Sequence, residues 1–126
     1  MSQDVGGKNI DQIKIYKSRI SRKAIEIRGD IFSDNEYSFK NGELHTITIL
    51  YIDPYETAEQ LSDASGIQGS NYYKLNRCDR ISINSEKALK VRDINVVLYS
   101  PKDTGENLSA AVLSFKPRKS VFRQLI

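Results

Sequence analysis

Alternating apolar residues, a hairpin dipeptide and a β-branched run predict a mainly β fold for this 126-residue chain. The expected architecture is an antiparallel sandwich or partly open barrel of six to eight strands with one or two short helices. Ile25, Ile27, Gly29 and Ile31 recur at spacing two, with Glu26, Arg28 and Asp30 between them, which is the period of a half-buried strand. Asn41-Gly42 tolerates the positive φ angles of a two-residue hairpin turn. The run Thr46 to Ile52 is β-branched and, in its second half, apolar on both faces, as a central strand requires.

The elements follow in order. Residues 1–10 contain Gly6-Gly7 and little apolar content, so they read as an N-terminal arm ahead of a single domain over 11–116. Ile13 and Ile15 open an alternation that runs on to Ile20. Tyr37 and Phe39 lead into the hairpin turn. Asp53 can cap a helix, Pro54 suits its first position and Glu56 completes an Asp-x-x-Glu box. Ala58, Leu61 and Ala64 form its apolar stripe, and Gly66 is its stop. Strands return over Tyr72 to Cys78, Arg80 to Ile83, Val91 to Tyr99 and Leu108 to Phe115, with a turn at Pro101 to Asn107. The expected core contains Ile25, Ile27, Ile31, Ile47, Ile49, Val96, Leu98, Val112 and Leu113.

Composition narrows the function classes. No apolar run approaches the roughly 18 residues of a membrane span, and Met1 to Lys8 lacks the apolar region of a signal peptide. The single cysteine, Cys78, cannot form an internal disulfide, which favours an intracellular, cytoplasmic or nuclear setting. His45 is the only histidine, so a Ser-His-Asp or Cys-His system would have to use it from the start of a strand. One His and one Cys do not make a structural zinc site, and no cofactor is expected. Neither His45 nor Cys78 is expected to carry chemistry. Gly66-Ile67-Gln68-Gly69 has the spacing of a backbone-clamping Gly-x-x-Gly loop, but with one short helix before it and Ser-Asn-Tyr-Tyr after it, a helix stop is the better reading.

Charge is distributed unevenly. Residues 1–28 carry +4, residues 29–73 carry −7 and residues 74–126 carry +6, for a net charge of +3. Lys14, Lys17, Arg19, Arg22, Lys23 and Arg28 form one basic cluster with Tyr16 among them. Tyr72, Tyr73, Lys74, Arg77 and Arg80 form a second. Lysine and arginine can follow phosphates while tyrosines stack on bases, so Lys14 to Arg28 and Lys74 to Arg92 are the expected polyanion-binding spans. The tail 117–126 sets cations among Val121, Phe122, Leu125 and Ile126, which are the candidate self-association residues.

The run from Thr46 to Asp53, a β-rich strand ending in aspartate before a helix, loosely resembles plant-virus cell-to-cell movement proteins. The resemblance spans about half the chain, includes no diagnostic motif, and transfers no residue role. The sequence thus predicts a non-enzymatic, self-associating structural or interaction protein, of the viral matrix-like or accessory kind. It would form a homo-oligomer and present basic surface to RNA, single-stranded DNA or an anionic membrane. Two alternatives stand beside it: a monomeric single-stranded nucleic-acid-binding module, and a small enzyme using the acidic block.

Overall fold

The computed structural model describes residues 11–18, 23–31, 37–40, 43–78, 80–84 and 88–117. Its elements are β1 (Asp11–Tyr16), β2 (Ile25–Gly29), β3 (Tyr37–Lys40), β4 (Glu43–Leu50), α1 (Pro54–Ser65), β5 (Tyr72–Leu75), β6 (Arg80–Ile83), β7 (Leu89–Tyr99), α2 (Pro101–Thr104) and β8 (Ala110–Pro117). The protein is mainly β, as its sequence predicts. The eight strands pair in the order β2-β1-β6-β7-β8-β4-β3, with β5 also alongside β7, and every pairing is antiparallel.

The sheet curls so that the end of β2 meets β4, leaving β3 as an edge strand beyond it. Asp30, just past β2, exchanges two backbone hydrogen bonds of 2.8 and 2.9 Å with Leu50 at the end of β4. Apart from this seam the sheet is open, nearer the partly open barrel than the sandwich of the two expected architectures. The core is a single cluster in which Ile13, Ile15, Ile27, Ile47, Ile49, Ile81, Val91, Ile94, Val96 and Leu113 have no exposed surface.

α1 packs against β2 and β5, closing the side of the barrel between them. Its start follows the sequence logic: Asp53 Oδ1 accepts from the amides of Tyr55 and Glu56, both at 3.0 Å, satisfying two donors that the helix itself cannot. Gly66 ends it in the left-handed region at φ 78°, and its amide donates to Ser62 O at 2.8 Å. The inward stripe differs from the expected one. Thr57 and Leu61 are buried, Ala64 packs partly against the core, and Ala58 is half-buried beside a cleft. Gln60 fastens the helix to β2, accepting from the Glu26 amide at 3.0 Å and donating to the Glu26 carbonyl at 2.8 Å.

Several local expectations are corrected. Ile31, Leu98 and Val112 are only partly buried. Ile31 lies beyond the seam, and Leu98 lines the cleft. Val112 alternates with the buried Ala111 and Leu113, so the period of a strand turns it outward. β5 stops at Leu75, and Cys78 follows a turn at Asn76-Arg77 rather than lying within the strand. The Pro101 to Asn107 turn contains a short helix, capped by Ser100 and Asp103 in a reciprocal box. Pro117 belongs to β8, not to the tail. β3 and β4 pair as far as Lys40↔Glu43; the turn expected at Asn41-Gly42 lies outside the described residues, as do the arm at 1–10 and residues 118–126. Among the described residues, no helix is long and apolar enough to cross a membrane.

Candidate polyanion-binding face

The strand period sorts the basic residues. In β1, Ile13 and Ile15 point inward, so Gln12, Lys14 and Tyr16 point outward; in β2, Glu26 and Arg28 do the same against Ile25 and Ile27. The register then sets these side chains next to one another. Lys14 lies opposite Glu26 on one side and Ser82 on the other, and Tyr16 lies opposite Arg80. Arg80 in turn pairs with Lys90, and Arg92 follows two residues along β7. Lys14, Arg28, Arg80, Lys90 and Arg92 therefore occupy one outer face across four neighbouring strands, spaced by the ~4.8 Å separation of a sheet.

Glu26 is the carboxylate placed among these cations. It sits 3.9 Å from the Lys14 ammonium and 3.2 Å from the Arg28 guanidinium, and it accepts from Gln12 Nε2 at 2.9 Å. Such partly exposed pairs contribute about 0–1 kcal/mol, so both cations remain open to a stronger anion. The Arg80 guanidinium lies 4.4 Å from the centroid of the Tyr16 ring. This contact stiffens the arginine and covers that face of the ring.

The remaining candidates go elsewhere. Lys17 Nζ donates to Ala64 O at 3.0 Å, bringing its charge to the negative end of α1, where it supports the helix. Tyr73 is 1% exposed in the core, which removes it from any stacking role; its hydroxyl is 3.5 Å from Ser62 Oγ. Tyr72 is exposed and donates to Asn95 Oδ1 at 3.0 Å, and Lys74 stands beside it on β5, beyond the bulge of β7. Arg77 is exposed in the turn before Cys78, at φ 60°. Lys23 is exposed just ahead of β2. Arg19, Arg22, Val121, Phe122, Leu125 and Ile126 lie outside the described residues. Lys90 and Arg92 fall inside the second expected span but were not singled out; their alternation with Leu89 and Val91 is the signal that marks them.

The acids of the middle block are largely occupied or solvated. Asp53 caps α1, and Glu56, Glu59 and Asp63 are exposed along that helix. Among the described residues, no three of the His, Cys, Asp and Glu side chains converge as metal ligands would. His45 stands on β4. Cys78 is buried, with Sγ 3.3 Å from Leu75 O. Burial pushes its thiol above the ordinary range, against smaller lowering effects from an Ile94 backbone hydrogen bond and Lys17 and a small raising effect from Asp93. A raised pKa leaves little thiolate at pH 8. The native protein is expected to react slowly with a thiol reagent there, faster as pH rises past 9, and at once in denaturant. Prompt stoichiometric labelling of the native protein at pH 8 would contradict this placement.

Comparison with models of known families, with curated proteins and with solved structures returns no match. What the chain itself defines is a small, mainly β protein with a basic sheet face.

Proposed function

We propose that this protein is a non-enzymatic interaction protein that self-associates and binds single-stranded nucleic acid through the outer face of β2, β1, β6 and β7. The observation that supports the binding is the register that aligns Lys14, Arg28, Arg80, Lys90 and Arg92 on one face, with Glu26 paired to two of them. The contacts are to phosphates, so recognition is electrostatic and tolerant of sequence. Nucleic acid is favoured over a membrane because the side chains set between the β1 and β2 cations are the polar Gln12 and Tyr16, with Leu89 as the exposed apolar group beside Lys90, whereas membrane attachment draws on several apolar groups inserted beside the charges. The enzyme alternative has less to rest on, since Asp53 is engaged as a helix cap and its neighbours in the block face solvent.

The test is fluorescence anisotropy with a labelled single-stranded oligonucleotide over a salt series. Affinity is expected to fall steeply with salt. The combined Lys90→Ala and Arg92→Ala variant should flatten the log–log slope by about 1.4, at roughly 0.7 per lost phosphate contact. Salt-independent binding, no binding at low salt, or a preference for phosphatidylserine vesicles over the oligonucleotide would overturn the reading.

A further inference from the structure

A cleft of about 370 Å³ opens where the start of α1 meets the end of β7. Ile52, Pro54, Tyr55, Leu98, Tyr99 and Pro101 supply most of its wall, and no charged side chain lines it. Tyr55 is 87% exposed and Tyr99 40%, so two rings stand open at its mouth. Acids adjoin the lining residues along the chain: Asp53, Glu56 and Glu59 beside Pro54, Tyr55 and Ala58, and Asp103 and Glu106 after Pro101, all exposed, with Lys102 next to an Asp103 whose carboxylate accepts from Ser100. An apolar floor with acids beside it calls for an apolar segment carrying positive charge.

The chain contains such a segment. Residues 118–126 read Arg-Lys-Ser-Val-Phe-Arg-Gln-Leu-Ile, placing Val121, Phe122, Leu125 and Ile126 among Arg118, Lys119 and Arg123. Reach decides which of its residues can meet its own cleft. Ser109 lines the cleft, and β8 carries the chain away from it to Pro117, about 26 Å at ~3.3 Å per residue. Phe122 lies five residues past Pro117, which spans at most about 18 Å fully extended. Within one molecule Phe122 falls short of the cleft, and only Leu125 and Ile126, at most about 29–32 Å past Pro117, could span the distance; a neighbour's segment can bring Phe122 and its flanking cations to the cleft together.

We propose that residues 118–126 of one copy dock in the Tyr55–Tyr99 cleft of a second copy, with Phe122 as the apolar anchor and Arg118, Lys119 and Arg123 against the adjoining acids. The proposal rests on the self-association part of the reading above and supplies its mechanism. The contact is heterologous, since segment and cleft are different surfaces, so repeated docking closes a ring or extends a filament.

Sedimentation velocity of the full chain tests it together with two variants, Phe122→Asp and the double substitution Tyr55→Ala with Tyr99→Ala. Tyr55 and Tyr99 are exposed, and circular dichroism checks the fold of each variant. Each variant alone is expected to assemble at least about tenfold more weakly than the parent. Mixed together they should form a dimer and stop, because only one intact segment and one intact cleft remain. A labelled peptide of residues 117–126 should bind the Phe122→Asp chain and not the double tyrosine variant, a readout independent of assembly. Assembly unchanged by both variants, or a peptide indifferent to the tyrosines, would overturn the docking while leaving self-association standing. A parent chain that stays monomeric at high concentration and low salt would overturn both.

Discussion

Gly29→Ala is expected to destabilise the protein by about 3 kcal/mol or more, at the upper end for overpacking substitutions. A Cβ at Gly29 would fall on the Leu50 carbonyl oxygen and within 2.9 Å of Ile49 Cγ1. A side-chain tip could swing away, but a carbonyl in a strand cannot. This particular carbonyl accepts the Asp30 amide at 2.8 Å, one of the two hydrogen bonds that join the end of β2 to β4. The methyl group therefore forces the seam apart. Thermal unfolding should shift down by on the order of 10 °C, and hydrogen exchange at the Asp30 and Leu50 amides should accelerate more than at Ile13 or Val96. A melting curve matching the parent's would mean that β2 and β4 do not close on each other as described.

Leu61→Ala is expected to cost about 2–5 kcal/mol, the range for truncating a buried leucine. Leu61 has no exposed surface and is the large apolar side chain that α1 buries where it fills the side of the barrel between β2 and β5. Truncation leaves a cavity that the sheet cannot collapse to fill, because the Gln60 bonds to Glu26 hold the helix at its present height. Against a total stability of about 5–15 kcal/mol for a typical domain, that loss is large. Glu59→Ala, on the exposed side of the same helix, should change stability by less than about 0.5 kcal/mol. Urea denaturation compares the two; equal midpoints would show that α1 lies on the barrel without contributing to its core.

The candidate face was legible only in part. Lys14, Arg28 and Arg80 stand in the basic clusters of the sequence, and their outward direction follows from the isoleucines that alternate with them. That they share one face depends on pairings between residues far apart in the chain, Lys14↔Ser82 and Tyr16↔Arg80, which no local pattern specifies. Tyr73 and Lys17 show the limit from the other side. Each has the residue type that a nucleic-acid site uses, yet Tyr73 fills the core opposite Val96 and Lys17 reaches the end of α1. A side chain's neighbours, not its type, decide whether it is available.

By itself the sequence determined most of the strands, the inward isoleucines of β1, β2 and β4 and the capped helix, because these depend on residues within a few positions of one another: the spacing-two isoleucines, and Asp53 with Pro54 and Gly66. The tertiary structure decided how those strands close. β7 pairs with β6 along its first half and with β5 along its second, and between them Asp93 takes φ 45° and the register with β8 shifts. That bulge inserts a residue and reverses the alternation, so Val91 and Ile94 both face the core while Lys90 and Arg92 face solvent. A period-two reading carried through Asp93 puts one half of β7 on the wrong face. Which half is corrected depends on the free energy of packing against β5, β6 and β8, an energy that exists only once those distant segments are assembled around it.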